Sequence, residues 1–162
     1  YKEFDQLIES DVIIVGAGPS GLICAHDLAA MGFRTLLIEQ SLALGGGFWS
    51  GGYLMNKATI CEPANEILEE VGVPCKKIKE CEGMYMVDPP HATSALIAAA
   101  YKAGAKIMNL TRVVDLILRN DSSLEGVVVN STTVEIPAPT EASVMATSTA
   151  SRAISTLAIR KL

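Results

Sequence analysis

The stretch DVIIVGAGPSGLICAHDLAAMGFRTLLIEQ, residues 11–40, decides the fold. Asp11-Val-Ile-Ile-Val15 is a short β-branched run that stops at Gly16, which predicts a strand buried on both faces. Residues 19–31 switch to helical composition. Leu22, Ile23, Ala25, Leu28 and Ala29 are expected to face the sheet, and Gly32 closes the helix. Residues 34–39 form a second strand. Together these make a βαβ unit of about 30 residues.

Gly16, Gly18 and Gly21 sit in the turn between the first strand and the helix with G-x-G-x-x-G spacing. The first glycine permits a tight turn. The second lets backbone approach a pyrophosphate, and the third lets helix and strand pack closely. Free N–H groups and the positive dipole end of the helix point at the anion. Ser20 adds a hydroxyl beside them. Glu39 ends the second strand 23 residues after Gly16, close to the spacing of about 20 at which an acid accepts ribose hydroxyls. Its charge would repel a 2′-phosphate. A glycine turn with no ligand is the plain alternative, but strand, helix and acid all stand where a dinucleotide site needs them.

A second glycine cluster, GGGFWSGG, occupies 45–52 and holds Trp49, the only tryptophan. Glycine lets a loop press its backbone against a ligand. The cluster reads either as a second wall of the nucleotide site or as a surface loop with an aromatic anchor. Its place straight after Glu39 and Gln40 favours the wall.

Downstream, helices are expected at 62–71, with Pro63 in the first turn, and at 91–103, ending at Gly104. Strands are expected at 84–88, 105–110, 113–119 and 125–130, the last two as a β-hairpin. Residues 1–10 suit a short amphipathic helix, 143–147 a strand, and the Ser/Thr/Ala-rich tail a final helix. The fold class is α/β: a Rossmann-like dinucleotide-binding domain of the glutathione-reductase type with a β-hairpin or meander insertion, one domain over 1–162.

Composition bounds the partners. Hydrophobic residues at 49 % and charged ones at 19 % suit a packed core. Thirteen Lys and Arg against eighteen Asp and Glu give a net charge of −5, which repels nucleic acid and anionic membrane. No apolar run reaches the roughly 18–20 residues of a membrane span, and no signal-peptide pattern opens the chain. A cytoplasmic location with reduced thiols is expected. Cys24, Cys61, Cys75 and Cys81 fit no zinc spacing, and Cys24 reads as core. The two histidines read as structural: His26 as a surface or packed residue of the first helix, His91 as a turn or cap residue opening the later one.

Several stretches resemble the thiamine thiazole synthase family, above all its archaeal, sulfide-dependent type. They are DVIIVGAGPSGL (11–22), IEQ (38–40), GGGFWSGGYLMNK (45–57), CEPANEILEEVGVP (61–74), YMVDPPHATSALIAAAYKAGAKIMN (85–109), VVDLILR (113–119) and GVVVN (126–130). The resemblance covers about residues 1–134. G-x-G-x-x-G is shared with flavoproteins; GGGxWxGG followed by Asn-Lys is far more specific. The resemblance implies a flavoprotein-like fold that binds NAD as a substrate. Nicotinamide is released, and an adenylated thiazole carboxylate is built from the ADP-ribose part, glycine and sulfide with Fe(II). Fungal and plant relatives instead give up the sulfur of a cysteine. It also implies a ring-like homo-octamer whose nucleotide sites receive residues from a neighbouring chain. Archaeal members also carry the label ribose 1,5-bisphosphate isomerase. By position, Ser20 matches the residue beside the pyrophosphate, and Glu39 and Gln40 the pair at the adenosine ribose. Gly47 matches the glycine of the second loop, and Val113 the backbone at the adenine. The cradle alone fits FAD as well as NAD. The alternatives are therefore an FAD-dependent oxidoreductase and a non-catalytic NAD-binding homologue.

The match fails after residue 130. The family's Asn-Trp-Thr is Asn130-Ser131-Thr132 here. Residues 134–140 supply neither the sulfur-handling His or Cys nor the iron-binding Asp. A later Thr-Gly-His-Asp is Thr147-Ser-Thr-Ala150. The family's C-terminal part, with its glycine-binding Met and Arg, would lie beyond Leu162. No catalytic or metal residue is assigned, and the chain is expected to be the retained part of a longer enzyme.

Overall fold

A computed structural model of the chain describes residues 7, 9–51, 57–119, 123–132 and 157–160. Strand β1 (Val12–Val15), helix α1 (Pro19–Ala30) and strand β2 (Thr35–Ile38) form the expected βαβ unit. A 3₁₀ turn (Gly46–Ser50) follows. Then come β3 (Ala58–Cys61), α2 (Ala64–Glu70), β4 (Lys76–Lys77), β5 (Met84–Val87), α3 (Pro89–Ala103) and β6 (Lys106–Met108). Strands β7 (Thr111–Arg119), β8 (Ser123–Ser131) and β9 (Leu157–Arg160) complete the described elements.

The strands make three sheets: parallel β1-β2-β6, antiparallel β3-β5-β4 and antiparallel β7-β8-β9. Strand β2 explains how they fit. All four of its residues are buried, because a strand presents alternate side chains to opposite faces. Leu37 packs with Leu22, Ala25 and Ala29 of α1 and with Leu96 and Ala100 of α3. Leu36 and Ile38 pack on the other side with Val127 and Val129 of β8. Helices thus cover one face of the parallel sheet and the β7–β8 hairpin covers the other.

That arrangement corrects the reading of β1. It was expected to be buried on both faces, but Val12, Ile13 and Ile14 are half-buried and Val15 is 60 % exposed. β1 lies at the edge of the described sheet, whereas β2 is central. The start of β1 is tied down by Arg34, whose Nη2 donates to Asp11 Oδ1 at 2.7 Å while its backbone N–H donates to Asp11 Oδ2 at 2.8 Å.

Helix α1 also corrects two expectations. Its buried stripe is Leu22, Ala25 and Ala29, the i, i+3, i+7 set of one face. Ile23 packs half-buried against the same core, whereas Leu28 falls beside the stripe, and both line a surface groove with Phe48 and Ile60. Cys24 is exposed, not core.

Helix α3 starts at Pro89, two residues earlier than expected, and its cap is Asp88 rather than His91. Asp88 Oδ1 accepts the His91 N–H at 3.0 Å. Pro89 and Pro90 fit the first turn because N–H groups there have no helical partner. Gly104 ends the helix at φ +99°. The short strands β3 and β4 were not expected. The tail expected to be helical is strand at Leu157–Arg160, paired antiparallel with β8. The expected strand at 143–147 and most of the expected helix at 1–10 lie outside the described residues. Among the described residues, no helix is long and apolar enough to cross a membrane.

Candidate functional site

The site is built at the carboxyl ends of β1 and β2, where parallel α/β sheets hold ligands. Gly16 leaves β1 at φ +99°, and its N–H donates to Ile38 O at 2.8 Å, which holds the turn against β2. The three cradle glycines differ physically. A Cβ at Gly21 would lie 2.0 Å from Gly16 O, so helix and turn touch backbone to backbone there. A Cβ at Gly16 or Gly18 would meet nothing within 4 Å. Backbone is therefore presented to open space at the first two glycines and to protein at the third. Gly18 caps α1 without a side-chain bond and Pro19 is the first helical residue. The first-turn N–H groups of Ser20 and Gly21 are donors for an anion. Ser20 itself is exposed.

Glu39 is only 9 % exposed. Its Oε2 accepts the Ala17 N–H at 2.8 Å and its Oε1 accepts the Ser41 N–H at 2.8 Å. Burial pushes the carboxyl up, but the N–H groups of Ala17, Ser41 and Gln40 outweigh it, so the group sits below the ordinary glutamate value. It is held as an anion. Each oxygen keeps acceptor capacity beyond its one backbone bond, so the carboxylate can still take ribose hydroxyls.

Gly16, Glu39, Gln40 and Val113 line one cleft of about 210 Å³, together with Val15, Ile38, Thr111 and Arg112. Four sequence-predicted residues, separated by up to 97 positions in the chain, thus meet in one place. The β7 strand reaches the cleft because Thr111 N–H donates to Glu39 O at 2.9 Å and Leu110 N–H to Ser41 O at 3.2 Å. Thr132, beside Leu110 at the same open end of the hairpin, donates its Oγ1 hydroxyl to Gln40 O at 2.7 Å. The Val113 side chain packs on the Leu36–Ile38–Val127–Val129 cluster.

Gly18, Ser20 and Gly47 lie outside that cleft. Gly18 and the second glycine loop abut: Gly45 N–H donates to Ala17 O at 2.7 Å, and a Cβ at Gly46 would lie 3.6 Å from Gly18 Cα. Gly47 follows in the 3₁₀ turn, with open space where a Cβ would go. Ser20 lines the apolar groove beside α1 with Pro19, Ile23 and Phe48. The loop is anchored from below. Trp49 Nε1 donates to Leu44 O at 2.5 Å. Past the loop, Lys57 Nζ pairs with Asp88 Oδ2 at 3.1 Å.

Arg112, Thr111 and Thr132 were missed by the sequence reading. The position of Arg112 beside Val113 was the available signal for it. The two histidines do not reach the cleft: both line a groove between α1 and α3, and His26 Nδ1 lies 2.8 Å from Asp27 Oδ1. Among the described residues no three His, Cys, Asp or Glu side chains group as a metal site, so they do not fit the expected Fe(II).

The Thi4 family model matches residues 1–156. A thiamine thiazole synthase of Aeropyrum pernix is 47 % identical over 130 residues, 80 % of this chain and 47 % of that protein. Another, of Solidesulfovibrio magneticus, is 42 % identical over 139 residues, 84 % of this chain and 52 % of that protein. The crystal structure of Thermovibrio ammonificans THI4 superposes with a TM-score of 0.81 at 32 % identity, covering 99 % of this chain and 57 % of that one. A geranylgeranyl bacteriochlorophyll reductase-like protein from Thermoplasma acidophilum shares the fold at 19 % identity, with a TM-score of 0.56 over 76 % of this chain and 35 % of that one. The chain spans about half the length of the curated relatives it matches. With a family match over nearly the whole sequence and relatives at 42–47 % identity across four-fifths of it, this chain belongs to the Thi4 family.

Proposed function

We propose that this chain is the nucleotide-binding part of a thiamine thiazole synthase that consumes NAD, glycine and sulfide to make an adenylated thiazole carboxylate. The observation that carries the reading is Glu39, ionised, anchored by Ala17 and Ser41 and facing the cleft that also holds Gly16, Gln40 and Val113. In this reading Glu39 and Gln40 take the adenosine ribose, and the backbone of Val113 meets the adenine. Gly16, Gly18, Gly21 and Ser20 receive the pyrophosphate at the start of α1, and Gly47 closes over it. The relatives' names support the activity.

Within this reading the described residues carry only nucleotide binding, and the Fe(II) that the resemblance implies finds no ligand set among them. Assembly as a homo-octamer and a cytoplasmic location belong to the same proposal, on the resemblance.

Mass spectrometry of the nucleotide released on denaturation tests it. ADP-ribose, NAD or an adenylated thiazole is the expected result. Stoichiometric FAD would overturn it in favour of a flavin oxidoreductase. NAD that stays intact with Fe(II), sulfide and glycine supplied to the full-length protein would mark a non-catalytic homologue. Light scattering reads the octamer independently.

A further inference from the structure

The cleft at Glu39 holds one cationic side chain among its described lining residues, Arg112. Arg112 is exposed and makes no ion pair or side-chain hydrogen bond with the described residues. Strand alternation accounts for its direction. Thr111 is buried and Val113 packs inward on the β2–β8 cluster, so Arg112 projects from the opposite face of β7. Val15, an exposed apolar side chain at the end of β1, lines the same cleft. The cleft lining thus combines an arginine, an aliphatic side chain and Glu39.

We propose that Arg112 is an adenine-binding residue, its guanidinium lying flat on one face of the base while Val15 meets the other. The inference rests on the reading of the cleft as the adenosine end of a dinucleotide site. A guanidinium is planar, weakly hydrated and permanently charged, so it lies flat on aromatic faces and holds them better than a compact, strongly hydrated ammonium. A 2′-phosphate is the other ligand an arginine at this position could take. Glu39 argues against it, because an anchored carboxylate at the ribose would repel that group. The base, flat and polarisable, is what remains for the cation.

The test uses the full chain and ADP-ribose as probe, followed by calorimetry. Arg112→Ala should bind ADP-ribose about 5- to 20-fold more weakly. Arg112→Lys should recover only part of that loss. The hypochromic change of adenine absorbance on binding should shrink in both. The melting temperature should hold, because the Arg112 side chain makes no ion pair or hydrogen bond among the described residues. Equal affinity in wild type and Arg112→Ala overturns the proposal. So does a wild-type preference for 2′-phospho-ADP-ribose that disappears in Arg112→Ala, since Arg112 would then read phosphate. A wild-type chain that binds no adenine nucleotide overturns both this proposal and the functional reading. FAD bound and weakened by Arg112→Ala overturns the functional reading alone and supports the stacking role.

Discussion

The backbone N–H of Ala17 donates to Glu39 Oε2 at 2.8 Å, joining the middle of the first glycine turn to the acid that ends β2. The carbonyl of the same residue is used as well, since Ala17 O accepts the Gly45 N–H at 2.7 Å. Ala17 is wholly buried. One short residue therefore ties together the cradle, the acid and the second glycine loop. The acid proposed to read the ligand also fixes the geometry of the turn proposed to receive it. Binding and local stability are consequently coupled at this point.

Glu39→Gln should show that coupling. A carboxylate accepts from both Ala17 and Ser41, whereas an amide offers one oxygen and turns an NH₂ toward the other donor. Leaving a buried N–H without a partner costs about 1–3 kcal/mol. Urea unfolding should register that loss, and ADP-ribose affinity should fall roughly tenfold or more. An unchanged unfolding midpoint would mean that the two backbone bonds contribute nothing.

The cradle glycines should separate packing from binding. Gly21→Ala forces a Cβ to within 2.0 Å of Gly16 O, a backbone atom that cannot swing aside. Overpacking of this kind costs about 1–3 kcal/mol. Gly18→Ala meets open space at an ordinary φ of −69°, so its stability should stay within about 1 kcal/mol of wild type. Its methyl would nevertheless stand where a pyrophosphate must approach. Gly18→Ala should thus fold and lose ADP-ribose, while Gly21→Ala should melt early. The reverse order of stabilities would sink the assignment.

The βαβ unit was legible because its signals are local: a β-branched run, glycine spacing, a helical stripe and an acid at a fixed distance. Errors arose where an element's partners are distant in sequence. Whether β1 or β2 is central depends on which strands flank each, and no residue of β1 records that. Cys24 looked like core because its helix is apolar nearly all round, yet one face alone meets the sheet. Asp88 was hidden because the Pro-Pro after it reads as a break rather than as a helix start. Arg112 enters the cleft only because the hairpin docks on β2. Part of that docking rests on Thr132 donating to Gln40 O, 92 residues away, and no local pattern announces such a bond.

The second glycine loop permits the same kind of comparison, with Trp49 as reporter. Gly45 has φ +102°, and a Cβ there would lie 2.1 Å from Thr93 Cγ2 and 2.7 Å from Trp49 Nε1. Gly45→Ala combines a clash with a strained backbone, at about 1–3 kcal/mol. It should also shift Trp49 emission, because the indole must move off Leu44 O. Gly47→Ala meets nothing within 4 Å and should leave emission and melting unchanged while weakening ADP-ribose. Unaltered fluorescence in Gly45→Ala would contradict the placement of Trp49 against the loop.

Acid should weaken the fold in a way that Glu39 controls. Its carboxyl lies below the ordinary 4.5 in the folded chain, because backbone N–H bonds outweigh the burial that pushes it up. Above that ordinary value the group is ionised in both states and the native bonds contribute fully. As pH falls through it, the unfolded chain takes up a proton first, so the unfolded state gains. The loss is complete once the pH has passed the lower, folded value. Glu39→Gln has no such proton to take. The stability gap between wild type and Glu39→Gln should therefore be widest near neutral pH and narrow through the glutamate range, as read by urea midpoints along a pH series. A gap that stays constant, or widens in acid, would show that the N–H groups of Ala17 and Ser41 do not hold the charged form.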